Sequence, residues 1–144
     1  MSSGGILIVD DDNDVRAAVS ELLEEEGFAV EGATNGRDAL ARLRGGNVHP
    51  AVILLDLMMP GMDGWDFRSE QMRDPQLAQV PVVIVSAAGF SRESIRTQFR
   101  PAVYVEKPIE RSELLEVIRA LVGSGSPGQL DASDRTGETK NKRA

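Results

Sequence analysis

Short apolar runs alternate with amphipathic stretches along most of the chain. The longest run spans 52–61, where Asp56 stands inside a continuous apolar segment that Pro60 and Gly61 stop. Such a run is typical of a strand covered on both faces, as in the parallel sheets of α/β proteins. Together with weaker runs it predicts five strands, over 6–9, 28–33, 50–56, 81–85 and 102–105.

Helical periodicity fills the intervals between these runs. Apolar residues recur at i, i+3, i+4, i+7 and i+8 within 15–23 and again within 114–122, which predicts two amphipathic helices. Asn13 or a neighbouring aspartate would cap the first helix, and Gly27 would end it. Weaker patterns predict helices over 37–44, 65–72 and 91–99. This alternation predicts a doubly wound α/β fold, with a five-stranded parallel sheet and helices on both faces.

Composition and charge narrow the class of protein. The chain has 144 residues, no cysteine and a net charge of -7, which excludes a disulfide scaffold and argues against a nucleic-acid surface. We expect one folded domain over 5–122 and a disordered tail or linker over 123–144, where the periodic pattern stops. Neither a signal peptide nor a membrane span is evident, so we expect a cytoplasmic protein without membrane contact.

Polar side chains follow four of the predicted strands. Asp10 and Asp11 come after the first strand, Asp56 ends the third, Ser86 the fourth and Lys107 the fifth. Parallel strands share one carboxyl edge, which is where open α/β sheets place their ligands. Clustered carboxylates suit Mg²⁺, a hydroxyl and an ammonium suit phosphoryl oxygens, and a carboxylate can be phosphorylated to an acyl phosphate.

Each of these side chains also has an ordinary explanation on its own. Aspartates at 10–14 can cap a helix, Asp56 and Ser86 can simply end strands, and Lys107 can be a solvated lysine. Tyr104, which alternates with valines, can be a half-buried strand aromatic. The ordinary explanations together would require four unrelated polar residues to stand at four strand ends by coincidence, and this favours the functional interpretation.

The sequence resembles the receiver domain of bacterial two-component response regulators, in particular the stand-alone receivers similar to chemotaxis regulators. The resemblance covers about 5–122 and is carried by five motifs. They are ILIVDDD at 6–12, ATNGRDAL at 33–40, LLDLMMPGMDG at 54–64, VVIVSA at 82–87 and YVEKP at 104–108.

The resemblance implies a flavodoxin-like fold of strand order 2-1-3-4-5 and a phosphorylation site. Asp56 would accept a phosphoryl group from a histidine kinase or a histidine phosphotransfer protein. Asp11, Asp56 and the Met58 carbonyl would bind Mg²⁺, or Mn²⁺ in its place, and Asp10 would act through water. Receivers of this kind are signalling switches of a phosphorelay and not metabolic enzymes.

The resemblance also implies how the switch works. Ser86 would hydrogen-bond the phosphoryl group, Lys107 would pair with it, and Tyr104 would rotate inward when Ser86 moves. The Lys107–Pro108 peptide bond would be cis. Phosphorylation would reshape the face formed by the fourth predicted helix, the fifth strand and the last helix, and thereby control binding of a downstream protein.

Two other classes of protein remain open. A phosphatase or phosphotransferase of the haloacid dehalogenase type also uses aspartate, Mg²⁺ and lysine, but it would need an acid two residues after Asp56, where Met58 stands. A receiver that only binds partners normally lacks the acid pair or the lysine, which are all present here. The chain could also be the receiver piece of a longer protein, since 123–144 has the composition of a linker.

Overall fold

The computed structural model of the chain describes residues 4–46, 48–86 and 103–124. Within these ranges strands and helices alternate as the sequence predicts, up to the fourth strand. The strands are β1 (Gly5–Val9), β2 (Val30–Ala33), β3 (Pro50–Asp56), β4 (Val82–Ser86) and β5 (Val103–Glu106). The helices are α1 (Asn13–Glu25), α2 (Gly36–Arg44), α3 (Gly64–Arg73) and α4 (Arg111–Ser124).

The five strands form one parallel sheet in the order β2-β1-β3-β4-β5. This confirms the predicted doubly wound fold and its strand order. In such a sheet the chain reverses its direction of growth between β1 and β3, and ligands bind at the carboxyl ends of the strands on either side of that point. The sheet therefore brings the ends of β1 and β3 together at one edge.

Each face of the sheet carries its own apolar core. One core packs under α2 and α3 and includes Leu55 and Phe67, whereas the other packs under α1 and α4 and includes Leu54 and Ile118. Successive residues of a strand point to opposite faces. Because both faces of β3 are covered, its apolar run is continuous instead of alternating.

Several strands and helices begin or end at other residues than the sequence predicts. Phe28 and Ala29 precede β2, which begins at Val30, and the last helix begins at Arg111, earlier than its apolar stripe indicates. In contrast, both predicted ends of the first helix are confirmed, because Asp12 caps it and Gly27 follows its last turn with a positive φ of 93°. The helix predicted over 91–99 lies outside the described residues.

Tyr104 and the last helix can be compared with their predicted places. Tyr104 packs against the α2–α3 core, whereas Val103 and Val105 belong to the opposite core, so the predicted alternation is confirmed. Helix α4 continues through Ser124, two residues into the segment assigned to the tail. Within the described ranges, no helix has both the length and the apolar character needed to cross a bilayer.

Candidate phosphoacceptor site

The ends of β1 and β3 carry the central carboxylates of the site. Asp56 is the last residue of β3, and Asp10 directly follows β1. The Asp10 amide donates to the Ala33 carbonyl of β2 at 3.1 Å, which continues the sheet hydrogen bonding by one residue. Both aspartates are buried, whereas Asp11, the next residue, is exposed. One carboxylate oxygen from each of the three lies within 4.8 Å of the others. The structure therefore brings the three predicted acids together.

Lys107 reaches this acidic group from the end of β5. Its Nζ lies 3.3 Å from Asp10 Oδ2 and 3.8 Å from Asp56 Oδ1. The backbone holds the lysine in place, because the Lys107 amide donates to the Ser86 carbonyl at 2.7 Å. The following bond, Lys107–Pro108, is cis, as the resemblance implies. One ammonium thus serves two buried carboxylates, and negative charge remains in excess.

The environment of Asp56 favours the protonated form of its carboxyl group. Burial, and next the neighbouring Asp10 carboxylate, raise the pKa of Asp56 from the usual 3.8 to about 6, against the opposing effects of Lys107 and the Met58 amide. A carboxylate in this position is costly to ionise because it loses hydration and faces like charge. A bound cation would relieve both effects, so the site is built to attract one.

Ser86 contributes a hydroxyl with no partner. Its Oγ is buried and has no hydrogen-bond partner among the described residues, although buried hydroxyls are rarely left unpaired. Ser86 pairs with Glu106 in the β4–β5 register, and Ile84 pairs with Tyr104. The predicted switch pair therefore lies on adjacent strands, with Tyr104 two positions before the residue that pairs with Ser86.

Met58 lies at the rim of the acidic group. Its amide donates to Asp56 Oδ1 at 3.3 Å, and its side chain is 61% exposed. The loop that follows folds back on the end of β3 and brings Gly64 close to it. A Cβ at Gly64 would lie only 2.7 Å from Leu57 Cα and 2.8 Å from the Asp56 carbonyl oxygen. This close approach requires glycine and fixes the chain on both sides of Met58.

Asp12 caps α1 by accepting from the Asp14 and Val15 amides, which confirms the prediction of an aspartate cap beside Asn13. One further residue near the site was not identified from the sequence. Arg16 donates to the Asp10 carbonyl at 2.7 Å and also to Asn13 Oδ1. The i,i+3 spacing of Asn13 and Arg16 on a helix was the available signal, but it gives no hint of the contact with Asp10.

A doubly wound parallel sheet with three carboxylates and a lysine at its carboxyl edge defines a class of α/β proteins with an acidic, cation-attracting site. Comparison with known proteins identifies the family. The family model described as "Response regulator receiver domain" matches residues 6–119. The chain belongs to this family.

Individual relatives agree with this assignment. The chain is 31% identical to the protein PilH of Pseudomonas aeruginosa over 118 residues, covering 81% of this chain and 96% of PilH. It is 33% identical to the response regulator Rre1 of Synechocystis over 119 residues, covering 81% of this chain but 51% of Rre1. The chain thus spans almost all of one relative and about half the length of another.

Solved structures show the same fold. The CheY-like receiver domain protein of Methanospirillum hungatei matches with a TM-score of 0.73 at 34% identity, covering 85% of this chain and 96% of that chain. The receiver domain of a histidine kinase from Syntrophus aciditrophicus matches with a TM-score of 0.76 at 28% identity, covering 92% and 98%. The chain is therefore a receiver domain, a phosphoacceptor signalling switch of a two-component system whose phosphodonors are, as a class, histidine kinases.

Proposed function

We propose that Asp56 is the phosphoacceptor of this receiver and that Lys107 and Ser86 assist the transfer. The observation that carries the proposal is the convergence of Asp10, Asp11, Asp56 and Lys107 at one sheet edge, beside the unpaired Ser86 hydroxyl. Asp56 is the acid that ends the central strand, and burial raises its pKa to about 6. A phosphohistidine donor, carried by a histidine kinase or a phosphotransfer protein, supplies the group.

The donor set fits a divalent cation with hard oxygen ligands. Mg²⁺ prefers one or two carboxylates together with water and phosphoryl oxygens, and Mn²⁺ accepts the same ligands. Asp11, Asp56 and the Met58 carbonyl would hold the ion, with Asp10 acting through water. When bound, the ion supplies positive charge to the carboxylates and to the transferring phosphoryl group.

The protein residues then have distinct tasks in the transfer. An Asp56 oxygen attacks phosphorus, the bond from phosphorus to the donor nitrogen breaks, and an acyl phosphate forms on Asp56. Lys107, which already contacts the Asp56 carboxylate, pairs with the incoming phosphoryl oxygens. The Ser86 hydroxyl gains its hydrogen bond in the phosphorylated state, and this gain favours a changed position of β4 and Tyr104.

The output of the switch is proposed at the surface next to β5. Movement of Ser86 and Tyr104 would reshape the surface formed by β5 and α4, where a downstream protein would bind. We assign the receiver to 5–124, up to the end of α4, and propose that the residues after it are a linker or tail. We propose that the domain is a signalling switch and not a metabolic enzyme. The cytoplasmic location expected from the sequence stays a prediction.

Phosphorylation by a small donor tests the assignment of Asp56. The intact mass of the protein should rise by about 80 Da, the mass of one phosphoryl group, after incubation with phosphoramidate or acetyl phosphate and Mg²⁺. The gain should require Mg²⁺ and disappear in Asp56→Asn, while the control Asp63→Asn, altered in the cap of α3, should keep it. A full gain in Asp56→Asn would overturn the assignment.

The Ser86→Ala variant should have opposite effects on the two states of the protein. It removes an unpaired buried hydroxyl, so the unphosphorylated protein should become more stable by about 1 kcal/mol. Phosphorylation should stabilise this variant less than the wild type, because the phosphoryl oxygen loses a donor. Urea unfolding of both forms measures this difference; equal stabilisation by phosphorylation would contradict a role for Ser86.

A further inference from the structure

Arg16 projects from α1 towards the loop that carries Asp11. One end of its guanidinium donates to the Asp10 carbonyl at 2.7 Å, and the other donates to Asn13 Oδ1. The first bond crosses from the helix to the end of β1, and the second ties the arginine to the first turn of its own helix. Arg16 thus joins the two sides of the loop between β1 and α1.

Asp10 and Asp12, on either side of Asp11, are also held by hydrogen bonds. The Asp12 amide donates to Asp10 Oδ1 at 2.9 Å, and the Asp12 carboxylate caps α1. The Asp10 amide is held by β2, and Asp10 Oδ2 is held by Lys107. Asp11 stands between these fixed residues, so the direction of its exposed side chain depends on where the loop is held.

Gly32 of β2 leaves space for the arginine. A Cβ on Gly32 would lie 3.4 Å from Arg16 Cδ and 3.5 Å from Arg16 Nε. Gly32 pairs with Ile8, two positions before Asp10. The stem of Arg16 therefore runs over a position of β2 that has no side chain, and larger residues at 32 would displace it from the Asp10 carbonyl.

We infer that Arg16, seated over Gly32, is a positioning residue that sets the affinity of the acidic site for its divalent cation. This inference rests on the proposed function. Arg16 holds the backbone of Asp10 and thereby the orientation of Asp11. Its permanent positive charge also lies on the α1 side of the acidic group without taking up carboxylate oxygens, because it binds a carbonyl. Residues that orient ligands in this way typically change metal affinity 10- to 100-fold when they are removed.

The experiment measures the Mg²⁺ dependence of phosphorylation in matched variants. Phosphoryl incorporation from phosphoramidate is followed by intact mass over a range of Mg²⁺ concentrations, in the wild type, Arg16→Ala, Arg16→Lys and Gly32→Val. Arg42→Ala is the control, because the Arg42 guanidinium pairs with Glu31 and Asp38 instead. Binding of Mn²⁺ in the absence of donor, followed by the EPR signal of the free ion, gives the affinity independently.

The expected result is a shift in affinity without loss of the maximal rate. The Mg²⁺ concentration for half-maximal rate should rise about tenfold in Arg16→Ala and in Gly32→Val, and less in Arg16→Lys. The control should stay within about twofold of the wild type, and all variants should reach similar rates at saturating Mg²⁺. A merely structural arginine would lower the folded fraction, measured by circular dichroism, and leave the midpoint unchanged.

Other outcomes separate this inference from the proposed function. An unchanged midpoint and unchanged Mn²⁺ affinity in Arg16→Ala would overturn the role of Arg16 while the phosphoacceptor assignment stands. A wild type that binds Mn²⁺ but accepts no phosphate would overturn the proposed function, and the Mn²⁺ affinities would still decide the role of Arg16. A wild type that binds no divalent cation would overturn both.

Discussion

Replacing Asp56 with asparagine is expected to stabilise the cation-free protein at pH 7.5 by about 3 kcal/mol. The pKa of Asp56 is raised from 3.8 to about 6 by burial and by the Asp10 carboxylate. At pH 7.5 Asp56 is ionised in both states, and the ionised form lowers the free energy of unfolding by about 1.4 kcal/mol for each unit by which folding raises the pKa. Asparagine removes the charge and can still accept the hydrogen bond from the Met58 amide.

The pH dependence of this difference has a definite sign. Between pH 4 and pH 6 the folded state binds the Asp56 proton more tightly than the unfolded state does, so this group lends the wild type stability as the pH falls. The wild type should therefore approach Asp56→Asn in stability below about pH 4 and fall behind it above about pH 6. Mg²⁺ should narrow the gap at pH 7.5, because binding to the ionised site stabilises the wild type.

Urea unfolding in EDTA from pH 4 to pH 8 measures the difference. The control is Asp66→Asn, an exposed acid in the first turn of α3, which should stay within about 0.5 kcal/mol of the wild type. Comparing variants at each pH cancels the titration of the carboxylates that do not interact with Asp56. If the free energies of unfolding of the wild type and Asp56→Asn change in parallel with pH through this range, ionised Asp56 is not destabilising and the raised pKa of Asp56 is wrong.

Replacing Gly64 with alanine is expected to destabilise the protein by about 2 to 3 kcal/mol and to slow phosphorylation. The added Cβ would meet backbone atoms on two residues, at 2.7 Å from Leu57 Cα and 2.8 Å from the Asp56 carbonyl oxygen. Neither contact can be relieved by a side-chain rotation, so the end of β3 and the start of α3 must move apart. Overpacking of this kind usually costs 1 to 3 kcal/mol.

Gly123→Ala is the matched control for this substitution. Nothing lies within 4 Å of a Cβ at that position of α4, and alanine favours helix more than glycine does. The control should therefore gain a few tenths of a kcal/mol, opposite in sign to Gly64→Ala. Urea midpoints and the rate of phosphoryl incorporation at saturating Mg²⁺ measure both effects. A Gly64→Ala variant with the stability and rate of the wild type would show that the loop relaxes without cost.

The sequence predicts the sheet well because burial on both faces leaves a strong pattern. The run that ends in Asp56 identifies β3, and the alternation of Tyr104 with valines gives the correct faces of β5. The polar first turn of α4 was missed, since the residues at 111–113 carry no apolar stripe. Likewise Phe28 and Ala29 are apolar but lie before the point where the β1–β2 register begins, at Val30.

The site was predictable at the level of strand ends and not at the level of contacts. Parallel topology alone brings Asp10, Asp56 and Lys107 to one edge, whatever the packing around them. In contrast, the Arg16 side chain runs over Gly32, on a different strand, at distances where a Cβ would already be in van der Waals contact. Such a contact between distant positions leaves no local periodicity, so it could be found only from the folded arrangement.

The ion pair between Lys107 and Asp10 has a consequence for the synthesis of the protein. The two residues are 97 positions apart, and β1 and β5 are separated in the sheet by β3 and β4. A nascent chain in which β5 has not yet left the ribosome therefore has its aspartates but lacks the lysine that pairs with two of them. The contacts of Lys107 with Asp10 and Asp56 can therefore form only after the last strand has docked, which makes the acidic site one of the last parts of the fold to be completed.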